Sequence, residues 1–287
     1  MVSFVRRSRS TRGTALNISS CKKLESLSYN GRFEASTDFL SNFPCLQYLA
    51  LSTIHPNLKL SSHSLKILAL NPCCDLDVTD IDAPNLIFLK FSLYKSSNPL
   101  VRNPAKSEPQ MEWFPFDDVN ALSFKKLRRF LNKSTGFFKV LKLNICSSFI
   151  DVEELKVIDS PPIELKHVEV ELTVREEPGT IDKLSAYVSA VDTVFWCLRP
   201  ESLTLISDFE SLDVEQRSRI VKFTYEKLLR QNDEDQTDIE IELSTSSSKD
   251  KKHFNDLKSL LAALPCEPLS DIITFIKVED SNAVKEG

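Results

Sequence analysis

The sequence predicts an α/β fold: an irregular solenoid of leucine-rich repeats with a curved parallel sheet and a C-terminal helix/strand cap. Three observations carry this. An L-x-x-L-x-L frame recurs at Leu24, Leu46, Leu65 and Leu86, with starts 22, 19 and 21 residues apart, inside the period of about 20–29 residues that stacked leucine-rich units use. Leucine (38) and serine (35) dominate the 287 residues while glycine is held to five. After Thr180 the apolar period changes from that of strands to that of helices.

Each repeat starts a short strand. Its leucines face inward and the intervening residues outward, so a single repeat cannot bury its own apolar side and must stack on its neighbours. Further copies of the frame lie at Phe138–Leu143, Val152–Val157 and Leu165–Val170, with a degenerate one ending Leu203-Thr-Leu205. The solenoid is thus expected over residues 14–206, after a disordered basic N-terminus at 1–13. Residues 96–132 are an insertion within it. Ser96 to Pro115 carries four prolines and reads as loop; Val119 to Leu131 places Phe124, Leu127 and Leu131 at helical spacing. Val152 and Leu165 stand close together around Pro161 and Pro162, which leaves open a tight repeat or an antiparallel hairpin, the repeat being favoured.

The C-terminal part has a different pattern. Thr180 to Leu198 reads as a helix with Ile181, Leu184, Val188, Val191 and Phe195 on one stripe. A second helix from Leu212 to Gln231 is expected to bury Ile220, Val221, Phe223, Tyr225 and Leu228. Asp238 to Leu243 alternates as a half-buried strand, Ser244 to Lys252 is loop, a helix carries Phe254, Leu257, Leu261 and Leu264, and Ile272 to Val278 is a last strand. Residues 207–279 are therefore expected to cap the solenoid, and 280–287 to be a disordered tail.

Composition excludes several function classes. No two glycines lie within six residues of each other, so neither G-x-G-x-x-G nor the P-loop motif is present, and no nucleotide cofactor is expected. The net charge of −5 argues against a nucleic-acid binder. No run of about 20 apolar residues is present, so no membrane association is expected. Seven cysteines without C-x-x-C pairs fit reduced thiols in cytoplasm or nucleus, and the four histidines lack metal-ligand spacing. No catalytic, cofactor or metal site is expected. Cys45 beside His55 or His63 is the best case for a catalytic pair, and its place directly before a repeat leucine points instead to a small buried residue.

The informative residues are those at outward strand positions. Tyr48, Phe88, Lys90, Lys142, Lys156 and His167 bring aromatic and basic side chains to the concave face, the composition of a protein-binding surface. The lysine row predicts an acidic partner. Gly136, just ahead of the strand at Phe138, is the glycine expected to tolerate substitution least.

The phrases Phe43-Pro-Cys-Leu-Gln-Tyr-Leu-Ala-Leu-Ser52, Ser64-Leu-Lys-Ile-Leu-Ala-Leu-Asn71, Ala83-Pro-Asn-Leu-Ile-Phe-Leu-Lys-Phe91 and Ser160-Pro-Pro-Ile-Glu-Leu-Lys-His-Val-Glu-Val170 resemble the repeat region of plant F-box/LRR proteins, over residues 14 to 278. The resemblance implies a non-enzymatic module that recruits a protein target. In that family an N-terminal F-box binds the Skp adaptor of an SCF ubiquitin ligase. Nothing between Met1 and Leu16 resembles an F-box, so adaptor binding is expected only if one is encoded upstream. The alternatives are a substrate receptor of an SCF-type E3 ligase, its F-box missing from this chain, and a truncated, non-functional paralogue.

Overall fold

The computed structural model describes residues 3–7, 22–30, 39–51, 58–70, 79–92, 108–114, 119–134, 136–147, 150–155, 161–174, 182–207, 212–231, 238–244, 251–264 and 272–278. These form a mixed α/β fold, with mostly parallel sheet and four α-helices. The chain divides into two compact units, Met1–Phe116 and Asp117–Gly287, and the boundary lies in the segment the sequence marks as an insertion.

The first unit holds strands β1 (Ser3–Arg7), β2 (Ser26–Asn30), β3 (Tyr48–Leu51), β4 (Lys59–Ser61), β5 (Ile67–Leu70), β6 (Asp80–Asp82), β7 (Phe88–Ser92) and β8 (Gln110–Phe114). Strands β1, β2, β3, β5, β7 and β8 are neighbours in that order, and every pair is parallel. The strands expected from the four leucine frames are β2, β3, β5 and β7. Register places Leu27, Leu49, Leu68, Leu89 and Met111 in one row, and all five are fully buried. Each such side chain contributes roughly 2 kcal/mol of burial free energy. The short strands β4 and β6 pair in parallel as a separate ladder, which buries Leu60.

Two expectations need correction here. Ser3–Arg7, expected to be disordered, is strand β1 beside β2. Gln110–Phe114, read as loop among four prolines, is strand β8: Met111 and Trp113 point into the core while Gln110, Glu112 and Phe114 alternate outward. The alternation was present in the sequence, and the surrounding prolines masked it.

The repeat frame produces one recurring main-chain arrangement. The Glu25 carbonyl accepts the N–H groups of both Gln47 and Tyr48, at 2.9 and 3.0 Å; the Gln47 carbonyl does the same for Lys66 and Ile67, and the Lys66 carbonyl for Ile87 and Phe88. In the second unit the Lys139 carbonyl accepts from Lys166 and His167 at 3.0 and 3.2 Å. The frame explains this. Two residues separate two inward leucines, so the chain turns at the x-x pair and presents both amides to one acceptor on the preceding repeat.

The second unit contains α1 (Ala121–Lys133), β9 (Val140–Ser147), β10 (Ile163–Val174), α2 (Lys183–Cys197), β11 (Leu198–Ser207), α3 (Val214–Arg230), β12 (Asp238–Ser244), β13 (Lys252–Phe254), α4 (Leu257–Ala263) and β14 (Ile272–Val278). Strands β9, β10 and β11 are parallel. The last strand, β14, runs antiparallel between β11 and β12, and β13 lies antiparallel on the far side of β12. Leu141, Val168, Leu203, Phe275 and Ile241 make one fully buried row. Helix α2 packs on β9, β10 and β11, with α1 and α3 beside it. Among the described residues no helix is long and apolar enough to cross a membrane.

Phe124, Leu127 and Leu131 of α1 are buried as their spacing predicts. Helix α3 buries Ile220, Val221, Thr224 and Leu228 and starts from a capping box between Asp213 and Gln216; Phe223 and Tyr225, expected to be buried, are half-buried. Helix α2 is buried on most sides, at Ala186, Tyr187, Ala190, Val191, Val194 and Phe195, so Leu184 and Val188 are at its margin rather than on its core stripe; Ile181 lies outside the described residues. Leu260 in α4 and Leu264 at its C-cap are buried while Leu257 and Leu261 are half-buried, and Phe254, expected on this helix, ends β13 instead.

The described part of the frame at Val152–Val157, residues 152–155, is not a strand. Glu153–Leu155 is a 3₁₀ turn, begun by an Asp151 carboxylate that accepts the Glu153 N–H at 2.9 Å. Strand β10 then pairs directly with β9 in parallel, which replaces both the tight repeat and the hairpin. Buried Leu155 satisfies the leucine pattern from a turn. The expected tail, 280–287, lies outside the described residues.

Gly136 has φ +68° in the connection from α1 to β9, a conformation in which a Cβ meets the following carbonyl. Apart from the glycine and its chain neighbours, nothing among the described residues stands within 4 Å of where that Cβ would be. Gly136→Ala is therefore expected to lower stability by about 1 kcal/mol through backbone conformation alone, and Gly136→Asn by less, since Asn tolerates this region. Urea unfolding of the two variants checks it; equal losses would contradict the backbone cause.

Candidate partner-binding face

Alternation fixes which residues of each strand point away from the buried rows. With the leucine rows turned inward, the first unit presents Ser26, Tyr48, Ile67, Phe88 and Gln110 in one outward row, and Ser28, Ala50, Ala69, Lys90 and Glu112 in the next. Tyr48 and Ile67 are half-buried, and burial pushes the Tyr48 phenol pKa up. Phe88 is corrected as an exposed anchor: held between Ile67 and Gln110 in register, it keeps 7% of its surface exposed.

Lys90 is not a free cation. Its Nζ lies 2.9 Å from Glu112, its register partner on β8, and 5.0 Å from the centroid of Phe114. The same holds in the second unit, where Lys142 on β9 pairs at 3.0 Å with Glu169, its register partner on β10. Asn144 donates to Glu171 at 2.7 Å one step along. Two of the three lysines of the expected basic row, Lys90 and Lys142, are thus in cross-strand pairs, so the acidic partner it predicted loses most of its charge argument. Lys156 lies outside the described residues.

His167 on β10 meets Ser202 on β11, with 2.8 Å between Nδ1 and Oγ. The sequence pointed to the histidine and missed the serine, which only parallel register brings beside it. Burial lowers the imidazole pKa, with Glu169 opposing and Lys142 adding to the lowering. The Ser202 hydroxyl donates to the Lys166 carbonyl at 3.1 Å. When its single proton is used there, His167 Nδ1 is the donor toward Oγ. That chain runs opposite to a Ser–His dyad, in which the ring must accept the serine proton.

The second outward face continues onto β14 and β12. Lys142, Glu169, Thr204, Thr274 and Glu242 form one row, with Thr204 and Thr274 hydrogen-bonded at 2.8 Å. Val140, His167, Ser202, Ile276 and Glu240 form the row on one side, and Asn144, Glu171, Ile206, Ile272 and Ser244 the row on the other.

Cys45 is exposed in the turn before Leu46, not buried as expected, because the Phe43-Pro44 turn directs it outward. His63 is exposed as well, and His55 lies outside the described residues. Among the described residues no group of three or more His, Cys, Asp or Glu is placed to hold a metal. No known protein family, curated protein or solved structure matches this chain.

Proposed function

We propose that the chain is a non-enzymatic leucine-rich-repeat module, similar to the target-recognition region of F-box/LRR proteins, that holds a protein partner on the outward faces of its parallel strands. The observation that carries the reading is the combination of a fully buried apolar row, leucine-rich in the first unit, on one side of each ladder with half-buried aromatic, aliphatic and charged rows on the other. The doubled amide bonds repeated from Glu25 to Lys139 support stacked repeats as the scaffold. A scaffold with one buried and one partly exposed sheet face supplies a broad, shallow contact surface, which suits a protein better than a small molecule.

The test is capture of proteins from a plant cell lysate by the wild-type chain and by three folded variants. Ala69→Arg and Thr274→Arg put bulk and charge on the two outward faces; Glu215→Arg, on the exposed side of α3, is the control. A partner retained by the control and lost by a face variant is the expected result. Capture of the same proteins by all four chains would overturn the reading.

A further inference from the structure

The outward face of the second unit carries an apolar strip between two acidic rims. Ile206 on β11 stands opposite Ile272 on β14, Ser202 opposite Ile276, and the Thr204–Thr274 pair lies between them. Both strands keep these residues partly exposed, apart from Thr204. Glu169 and Glu171 on β10 line one edge of the strip; Glu240 and Glu242 on β12 line the other.

The four carboxylates are not equally occupied. Glu169 is neutralised by Lys142, and Glu242 by Lys251 at 2.7 Å, with His253 at 3.5 Å. Glu171 accepts only the neutral Asn144 amide, and Glu240 meets no cation among the described residues. Both are exposed. One unneutralised carboxylate therefore remains on each rim, and no unpaired lysine remains on this face among the described residues.

The width selects a shape. From β10 to β12 across β11 and β14 there are three interstrand spacings of about 4.8 Å, or about 14 Å between rims. An α-helix with its side chains is about 10–12 Å across. A helix lying on the isoleucines brings flanking residues on either side within reach of the rims.

Resting on the reading of this face as a partner site, we propose that it takes a basic amphipathic helix of a partner protein, with the apolar stripe on Ile206, Ile272 and Ile276 and Lys or Arg flanks on Glu171 and Glu240. This reverses the charge that the lysine row suggested from sequence. The same carboxylates repel phosphate, which disfavours nucleic acid and anionic lipid on this face.

The probe is a synthetic fluorescent helical peptide of Leu and Lys with its leucines at i, i+3, i+4 spacing, beside a counterpart carrying Glu for Lys, both titrated against the full chain by anisotropy. The Lys peptide is expected to bind and the Glu peptide not to. Glu171→Lys/Glu240→Lys is expected to weaken binding about tenfold or more, each rim contributing a charge contact. Glu154→Lys/Glu215→Lys changes net charge equally at exposed sites elsewhere and is expected to move affinity by less than about twofold. Equal weakening by both double variants, or binding of the Glu peptide instead, would overturn the proposal. Because the Thr274→Arg capture experiment tests the face independently, failure of the peptides with capture intact overturns only the basic helix.

Discussion

Arg128→Ala is expected to lower the stability of the second unit by about 3 kcal/mol, the sum of a lost charged hydrogen bond and a cavity. Helix α2 ends at Cys197 and β11 begins at Leu198, so no connecting residues are left to satisfy the last carbonyls of the helix. Neighbouring helices do this instead. Arg128, buried at 2% exposure on α1, donates from Nη1 to the Trp196 carbonyl at 3.1 Å. Gln231, just after α3, donates from Nε2 to the Phe195 and Leu198 carbonyls at 3.1 and 2.8 Å. The guanidinium also stacks 4.2 Å from the Trp196 ring centroid, and a cation at a helix C-terminus gains from the macrodipole.

Its charge has no carboxylate partner, and Arg128 Nε finds no acceptor among the described residues. Burial accordingly lowers the guanidinium pKa, with Cys197 opposing. Arg128→Met fills the space and removes that desolvation penalty while leaving the Trp196 carbonyl uncapped. It is expected to lose about half as much as alanine, roughly 1.5 kcal/mol. Cys197 supplies a second readout, since it is fully buried and its thiol pKa is pushed up to about 12. It can be alkylated only when the unit opens. A 3 kcal/mol loss raises the open population and the Cys197 labelling rate by about two orders of magnitude in Arg128→Ala. An unchanged labelling rate would mean that Arg128 does not hold this junction.

The repeat strands could be read from sequence because their cause is local: two inward leucines three residues apart fix the turn and the strand within a single repeat. Strand β8 could not, since prolines on both sides of Gln110–Phe114 outweigh a short alternation. The antiparallel insertion of β14 between β11 and β12 follows from a pairing of Ser202 with Ile276, which no local pattern encodes. The candidate face shows the same division. Alternation correctly placed Tyr48, Lys90, Lys142 and His167 on strands at outward positions. What they do there depends on residues 22, 27 and 35 positions away, Glu112 for Lys90, Glu169 for Lys142 and Ser202 for His167. Register turns Lys90 and Lys142 into members of ion pairs, and the sign of the charge left over is a property of neighbouring strands.

Lys277→Met is expected to stabilise the protein at pH 7 and to flatten its stability between pH 8 and pH 10. Lys277 follows buried Phe275 on the inward side of β14. Burial lowers its ammonium pKa most, Arg199 repels it, Glu201 only partly compensates, and the pKa falls to about 8. An unfolded lysine titrates near 10.4. Below pH 8 both states carry the proton and the folded state bears the full penalty. Between about pH 8 and 10.4 the unfolded chain keeps a proton that the folded chain has lost, so stability rises with pH across that window. The half-buried side chain retains water, which screens the penalty, so the gain expected from methionine at pH 7 is about 1 kcal/mol rather than the full linkage value. The tyrosines act in the opposite direction: burial raises the phenol pKa values of Tyr48 and Tyr225, and such groups withdraw stability as the unfolded phenols ionise near pH 10. Urea midpoints at pH 7, 8 and 9 therefore isolate the lysine. The advantage of Lys277→Met should be largest at pH 7 and shrink by pH 9; an advantage independent of pH would assign the effect to packing and not to the buried charge.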